Sequence, residues 1–295
     1  KGSDEVMCMM FSVLSLVLAV KYVKTNKISH LVWGMIVFFL ALFAKENAIT
    51  FLAVVPLTYY FFTKAKTDQY IIAGIAYIIP IAIFLFMRSQ YTHSALTADS
   101  PEILNNPFVN NQLGNYNAFS IRYGTTIYTF MRYYLLMFIP YPLTHDYYFN
   151  QVPYVEMNDP RFLISALLTI GLVVYGIIGL RKKSIVSFGI LYYFITFSVA
   201  SNVLFTVGVL MNERFIYMSS LGFCIILAFV IVKLLKKPQY IGIAGAVILS
   251  LYSVETFSRN FDWYDSFTLF RRDVWKSPNS AKIQTSLGGD LTKSA

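Results

Sequence analysis

Three short stretches place ionisable side chains inside or against long apolar runs. Ala44-Lys45-Glu46-Asn47 interrupts a run from 31 to 63 that is otherwise almost entirely apolar. As one helix that run would be about 50 Å long at 1.5 Å per residue, well beyond the ~30 Å of membrane hydrocarbon. A charge at its centre would cost about 2.5 to 3.5 kcal/mol on insertion scales. Two short helices meeting at Lys45-Glu46-Asn47 avoid both penalties. The ammonium of Lys45 would then suit an anionic headgroup such as a lipid-linked phosphate, with Glu46 orienting it. The plainer alternative is a hairpin turn whose Lys and Glu are solvated or paired.

The second stretch is Met211-Asn212-Glu213-Arg214-Phe215-Ile216-Tyr217-Met218-Ser219-Ser220-Leu221-Gly222, at the start of another apolar block. A guanidinium at Arg214 can offer two parallel donors to a phosphate, with Glu213 and Tyr217 beside it. Equally, Arg214 can snorkel to water amid an interfacial tyrosine belt. The third is Pro140-Tyr141-Pro142-Leu143-Thr144-His145-Asp146-Tyr147-Tyr148. His145 and Asp146 could serve as acid or base or hold a divalent ion, and the aromatic faces suit sugar rings; a bland interfacial cluster fits as well. His30 and His93 stand alone. No Gly-rich phosphate loop or Cys/His zinc pattern occurs, and Cys8 and Cys224 read as small buried hydrophobes.

The elements that must carry these residues are membrane helices. The 295 residues are 57% hydrophobic and only 13% charged, about half the charged share of an average soluble domain. Apolar blocks at 5–21, 31–44, 47–63, 70–88, 162–180, 184–201, 215–235 and 239–257 match the roughly 20 residues of a spanning helix. A ninth block, 123–142, carries Arg122 and Arg132 with many tyrosines and reads as interfacial or re-entrant.

The net charge of +9 resides mostly in short loops, so it signals topology rather than nucleic acid. Lys21, Lys24 and Lys27, then Lys64 and Lys66, then Arg181, Lys182 and Lys183, then Lys233, Lys236 and Lys237 mark four cytoplasmic loops. Loops 89–121 and 143–160 and the region after 257 then face the external or lumenal side. Loop 89–121, with Pro101, Asn105, Asn106, Pro107, Asn110, Asn111, Asn115 and Asn117, is rich in turn formers. From Arg259 the composition turns water-soluble, and Asn279 or Ser280 is placed to cap a helix after Pro278. The expected organisation is a membrane domain over 1–257 and external soluble helices over 258–295. The chain starts at Lys1 without an initiator Met, as a piece of a longer protein would.

In order along the chain, Ser3-Asp4, Ala44-Lys45-Glu46-Asn47, Asn106-Pro107, Leu143-x-x-Asp146-Tyr147, Glu213-Arg214-x-x-Tyr217-x-x-Ser220-Leu221-Gly222, Pro278-Asn279-Ser280-Ala281-Lys282 and Ser286-Leu287-Gly288 resemble a known family. It is that of the transmembrane O-mannosyltransferase-like proteins with tetratricopeptide repeats, of the GT-C superfamily. The resemblance implies an all-α polytopic bundle of about 8–9 membrane segments followed by the start of an α-helical repeat domain. It implies transfer of a sugar from a polyprenyl-phosphate donor to a protein or glycan acceptor, with inversion, in the bacterial cytoplasmic membrane or the endoplasmic reticulum. An acidic group would activate the acceptor while cations or a divalent metal stabilise the departing phosphate.

The family's best-known catalytic acid would fall upstream of Lys1, so the catalytic residue is not assigned and the chain alone would be inactive. Lys45 and Arg214 are the candidates for the donor phosphate. Glu46, Asp146, His145, Glu213 and Tyr217 are supporting or acceptor-side candidates; no metal ligands are named. Competing readings are a surface-glycan polymerase or ligase, a non-catalytic scaffold for external repeats, and a transporter, which would show paired broken helices in two halves.

Overall fold

The computed structural model describes residues 2–95, 108, 118–147 and 150–294. Tyr148 and the Asn- and Pro-bearing part of loop 89–121, with its Asn106-Pro107 motif, lie outside them. Among the described residues all regular structure is helical: α1 Ser3–Thr25, α2 Ile28–Ala44, α3 Phe51–Phe62, α4 Thr67–Ala95, α5 Ala118–Phe138, α6 Pro160–Ile178, α7 Ile185–Phe197, α8 Ser220–Leu235, α9 Pro238–Asp262, α10 Ser266–Lys276 and α11 Ala281–Ser294. Short 3-10 helices occupy Glu46–Thr50 and Glu213–Ile216.

Four helices, α1, α4, α6 and α9, are long and apolar enough to cross a membrane, and the apolar α2, α7 and α8 are shorter. The protein is therefore a multi-pass membrane protein. The fourth apolar block lies within a longer helix, α4, and the third is split into a 3-10 turn and the 12-residue α3. Segment 123–142 forms the 21-residue α5, which is not among the long apolar four.

The chain divides into two compact units. The first is built from α1 to α4, α7 and the Tyr217–Phe223 segment that opens α8. Here α1 packs on α2, α2 on α4, and α3 on α7 and α4. Small residues let backbones close in: a Cβ on Gly222 would meet the Gly189 carbonyl oxygen at 2.4 Å. Buried hydroxyls find partners across helices, as when Ser15 Oγ donates to the Gly34 carbonyl at 2.8 Å and Tyr59 OH to that of Ala19 at 2.9 Å. Asn26, at φ 54°, ends α1 in the left-handed region, where a short polar side chain is tolerated.

The second unit holds α5, residues 201–216, the rest of α8, and α9 to α11, with α6 contributing to both units. In it the stretch 152–157 is tied to α5 by hydroxyls. Val155 N–H donates to Thr125 Oγ1 at 2.9 Å and Met157 N–H to Ser120 Oγ at 3.1 Å. Gly124 makes this possible, because a Cβ there would lie 2.1 Å from the Val155 carbonyl oxygen. Pro238 opens α9 at a position that needs no N–H donor. Asp265 caps α10 by accepting from Thr268 N–H at 2.7 Å. Ile283 N–H reaches Ser280 Oγ at 3.4 Å just before α11, as the Pro-Asn-Ser signal implies. α11 packs on α10.

Candidate functional site

In the first unit the break at Lys45 is real. Lys45 is extended, with φ −164° and ψ 139°, and separates α2 from the 3-10 turn. Thr50 Oγ1 donates to the Asn47 carbonyl at 2.8 Å and closes that turn from within. The ammonium of Lys45 pairs with Glu5 and lies 3.5 Å from Asp4 Oδ2, both on the first turn of α1. Glu46 does not orient it; its carboxylate pairs with Arg88 of α4, both being about half exposed. Such an exposed pair contributes about 0 to 1 kcal/mol. The charges of the 44–47 stretch are thus engaged with α1 and α4, partners about 40 residues away in the chain.

The second unit gathers four of the remaining candidates. Tyr133 of α5 is buried, donates to the Asn212 carbonyl at 3.2 Å and accepts from Asn212 N–H at 2.9 Å. This anchors the entrance to the 3-10 turn Glu213–Ile216. The preceding loop is closed by Asn202, whose amide donates to the carbonyls of Val209 and Leu210, both at 3.1 Å. Successive residues of a 3-10 turn point about 120° apart. Glu213 consequently faces inward and Arg214 outward.

Glu213 Oε1 accepts from Thr144 N–H at 2.7 Å and from Tyr147 OH at 2.8 Å. One carboxylate oxygen therefore holds both ends of the 144–147 stretch. Burial raises the Glu213 carboxyl above the usual range, and the two hydrogen bonds oppose that shift without cancelling it. Arg132 of α5 lies 5.6 Å over the Tyr147 ring. Asp146 is only 1% exposed, so it is not presented at the surface as an acceptor-facing base would be.

Arg214 is exposed, with its guanidinium 5.8 Å from the centre of the Phe215 ring and its N–H tied to Asn212 Oδ1 at 3.2 Å. It has no ion-pair partner among the described residues. Tyr217, 40% exposed, follows three residues later and belongs to the first unit.

His145 leads to residues that the sequence pattern does not single out. Its Nδ1 lies 2.7 Å from Asp273 Oδ2, and its N–H donates to the same oxygen at 2.8 Å. Asp273, fully buried on α10, also receives a bidentate fork from Arg259 of α9 at 2.6 and 2.7 Å. Arg259 in turn reaches Asp262 at 2.6 Å, and Asp262 accepts from Arg272 and, at 3.0 Å, Lys276. Burial alone would raise the Asp273 carboxyl, but the hydrogen bonds of His145 and Arg259 outweigh it and hold it well below the usual carboxylate range. His145 is thus a docking point between the 143–147 loop and α10. The only available signal was the run of alternating charges after Arg259, which reads equally well as a solvated helix.

Among the described residues no three His, Cys, Asp or Glu side chains are gathered as a metal site needs. Arg214 is the one phosphate candidate whose charge is uncommitted, and Glu213, Thr144 and Tyr147 form the frame that presents it.

Comparisons with known proteins agree with the motifs. Human protein O-mannosyl-transferase TMTC3 is 28% identical over 53% of this chain, a match spanning 18% of that protein. Drosophila melanogaster protein O-mannosyl-transferase Tmtc3 is 26% identical over 75% of the chain and 23% of its own length. Mouse protein O-mannosyl-transferase TMTC1 is 29% identical over 50% of the chain and 17% of its length. The chain therefore covers about a fifth of these relatives. No family model matches, and no solved structure matches. The relatives and the ordered motifs converge: the chain is similar in sequence to proteins named protein O-mannosyl-transferases.

Proposed function

We propose that the protein is an integral-membrane glycosyltransferase that moves a mannosyl group from a polyprenyl-phosphate donor to a protein acceptor on the external or lumenal face. In this reading the present chain receives the donor phosphate through Arg214. The acceptor hydroxyl gives its proton to an acidic side chain of the intact protein and attacks the anomeric carbon as that carbon's bond to the phosphate oxygen breaks, with inversion. The departing phosphate gains negative charge, and a fixed guanidinium with two parallel N–H groups stabilises that charge.

The observation that carries the reading is the contrast between neighbours. Glu213 is consumed in bracing the 144–147 loop, while Arg214 projects with its charge uncommitted. Lys45, in the other unit, is shared by Glu5 and Asp4, so a phosphate there would compete with two carboxylates. Asp146 and His145 are positioning residues of the same unit as Arg214. The paired α10 and α11 open a repeat region that presents the acceptor.

The test is donor kinetics in the intact protein. Arg214→Ala is expected to lower kcat/KM by about a hundredfold or more, the size of one lost transition-state donor, with partial recovery in Arg214→Lys. Unchanged kinetics in Arg214→Ala would sink the assignment.

A further inference from the structure

An open groove of about 540 Å³ lies where α9 meets α10, lined by Tyr141, Glu255, Asp262, Arg272, Trp275 and Lys276 among others. Its depth in the bilayer follows from α9. From Lys237, the last residue of the cationic loop before this helix, to Glu255 is about 27 Å of helix, and to Ser258 about 32 Å. Those distances bracket the ~30 Å hydrocarbon thickness, so the groove floor sits at the boundary between acyl chains and headgroups. The flank of α9 below it, with Leu251, Val254 and Phe257 all exposed, continues as lipid-facing surface.

The groove lining is charged. Arg272 and Lys276 both pair with Asp262, which also takes Arg259, and Arg259 pairs with Asp273, so three cations meet two carboxylates and leave a surplus of positive charge. Glu255, in the same lining, is half-buried and has no hydrogen-bond or ion-pair partner among the described residues. Two aromatic side chains of the lining stand open to solvent, Tyr141 at 67% and Trp275 at 85% exposure. An interfacial aromatic belt accounts for exposed rings at this depth, but not for an unpaired carboxylate in the same groove.

We infer that this groove binds the headgroup of a zwitterionic phospholipid bearing a quaternary ammonium, with the phosphate toward Arg272 and Lys276 and the ammonium between Tyr141, Trp275 and Glu255. Aromatic faces and a carboxylate are the groups that recognise a quaternary ammonium, and cations recognise its phosphate. The occupant is a bilayer lipid because the groove opens at headgroup depth and continues the lipid-facing side of α9. This proposal is independent of the glycosyltransferase reading.

The experiment exchanges the intact protein into mixed vesicles of phosphatidylcholine and phosphatidylglycerol, extracts it gently and counts retained lipids by native mass spectrometry. Phosphatidylcholine is expected to be enriched about threefold, the size of one exposed cation–π contact. Glu255→Gln and Trp275→Ala abolish that enrichment; Trp275→Phe keeps it, as does Phe257→Ala outside the groove. Because Trp275 is exposed and Glu255→Gln is isosteric, loss of fold does not mimic the result. Equal retention of the two lipids, a preference for phosphatidylglycerol, or an enrichment that survives Glu255→Gln would overturn the inference.

Discussion

Glu213 and Arg214 are adjacent, oppositely charged and differently used, and the 3-10 turn that separates their directions is the reason. Alanine at 213 leaves the Thr144 N–H and the Tyr147 hydroxyl without their acceptor, at about 1 to 3 kcal/mol for each buried group. Glu213→Gln keeps an oxygen for both, so thermal unfolding in detergent should show Glu213→Ala clearly destabilised and Glu213→Gln close to the parent. Equal loss in both variants would mean that the negative charge matters rather than the acceptor. The pH dependence separates them further. The Glu213 carboxyl is raised in the folded state, which therefore binds its proton more readily than the unfolded chain. Its contribution to stability falls as pH rises from the ordinary glutamate range through its higher folded value, and Glu213→Gln removes that slope.

This residue-level wiring was only partly legible in the sequence. The Glu213-Arg214 motif stood out, but its partners Thr144 and Tyr147 lie more than 60 residues away. Lys45 was visible as a misplaced charge; that Glu5 would take it was not, because pairing between helices leaves no periodic trace.

At the scale of elements, the docking of α10 rests on buried Asp273. Breaking a buried pair while leaving its charged partner costs about 3 to 5 kcal/mol, so Asp273→Ala should release α10 and α11 and expose the 263–280 region to limited proteolysis. His145→Ala removes one contact of several and should cost less. Asp273 also sets an acid limit with the opposite sign to Glu213. Its folded carboxyl is depressed, so its contribution is complete above the ordinary aspartate range and is lost as pH falls through the lower folded value. Proteolysis at 263–280 should rise on acidification in the parent protein. No rise would remove Asp273 as the controlling group.

Helix boundaries were the most readable layer. Cationic loops and apolar length placed α1, α2, α6 and α9 closely, since insertion energetics act residue by residue. The fate of 123–142 was not readable, because α5 gains its stability from the 152–157 stretch and from Tyr133, both tertiary partners.

For the whole molecule, the four cationic loops can share one side only if α5 does not cross. Cysteines introduced at Lys27, Lys64, Lys182 and Lys236 should therefore be labelled from one face of sealed vesicles, and cysteines at Ser266 and Asn279 from the other. Labelling of Ser266 and Lys236 from the same face would refute that topology. That helices follow α9 accords with the change of composition at Arg259; the fork that ties α10 to α9 leaves no trace in the sequence.

That fork has a mechanical meaning. Only Trp263, Tyr264 and Asp265 separate α9 from α10, and the guanidinium of Arg259 clamps the two helices across that short link. The joint behaves as a bracket rather than a tether. α10 therefore leaves the end of α9 along a set bearing, its direction governed by the clamp instead of by the slack of a linker.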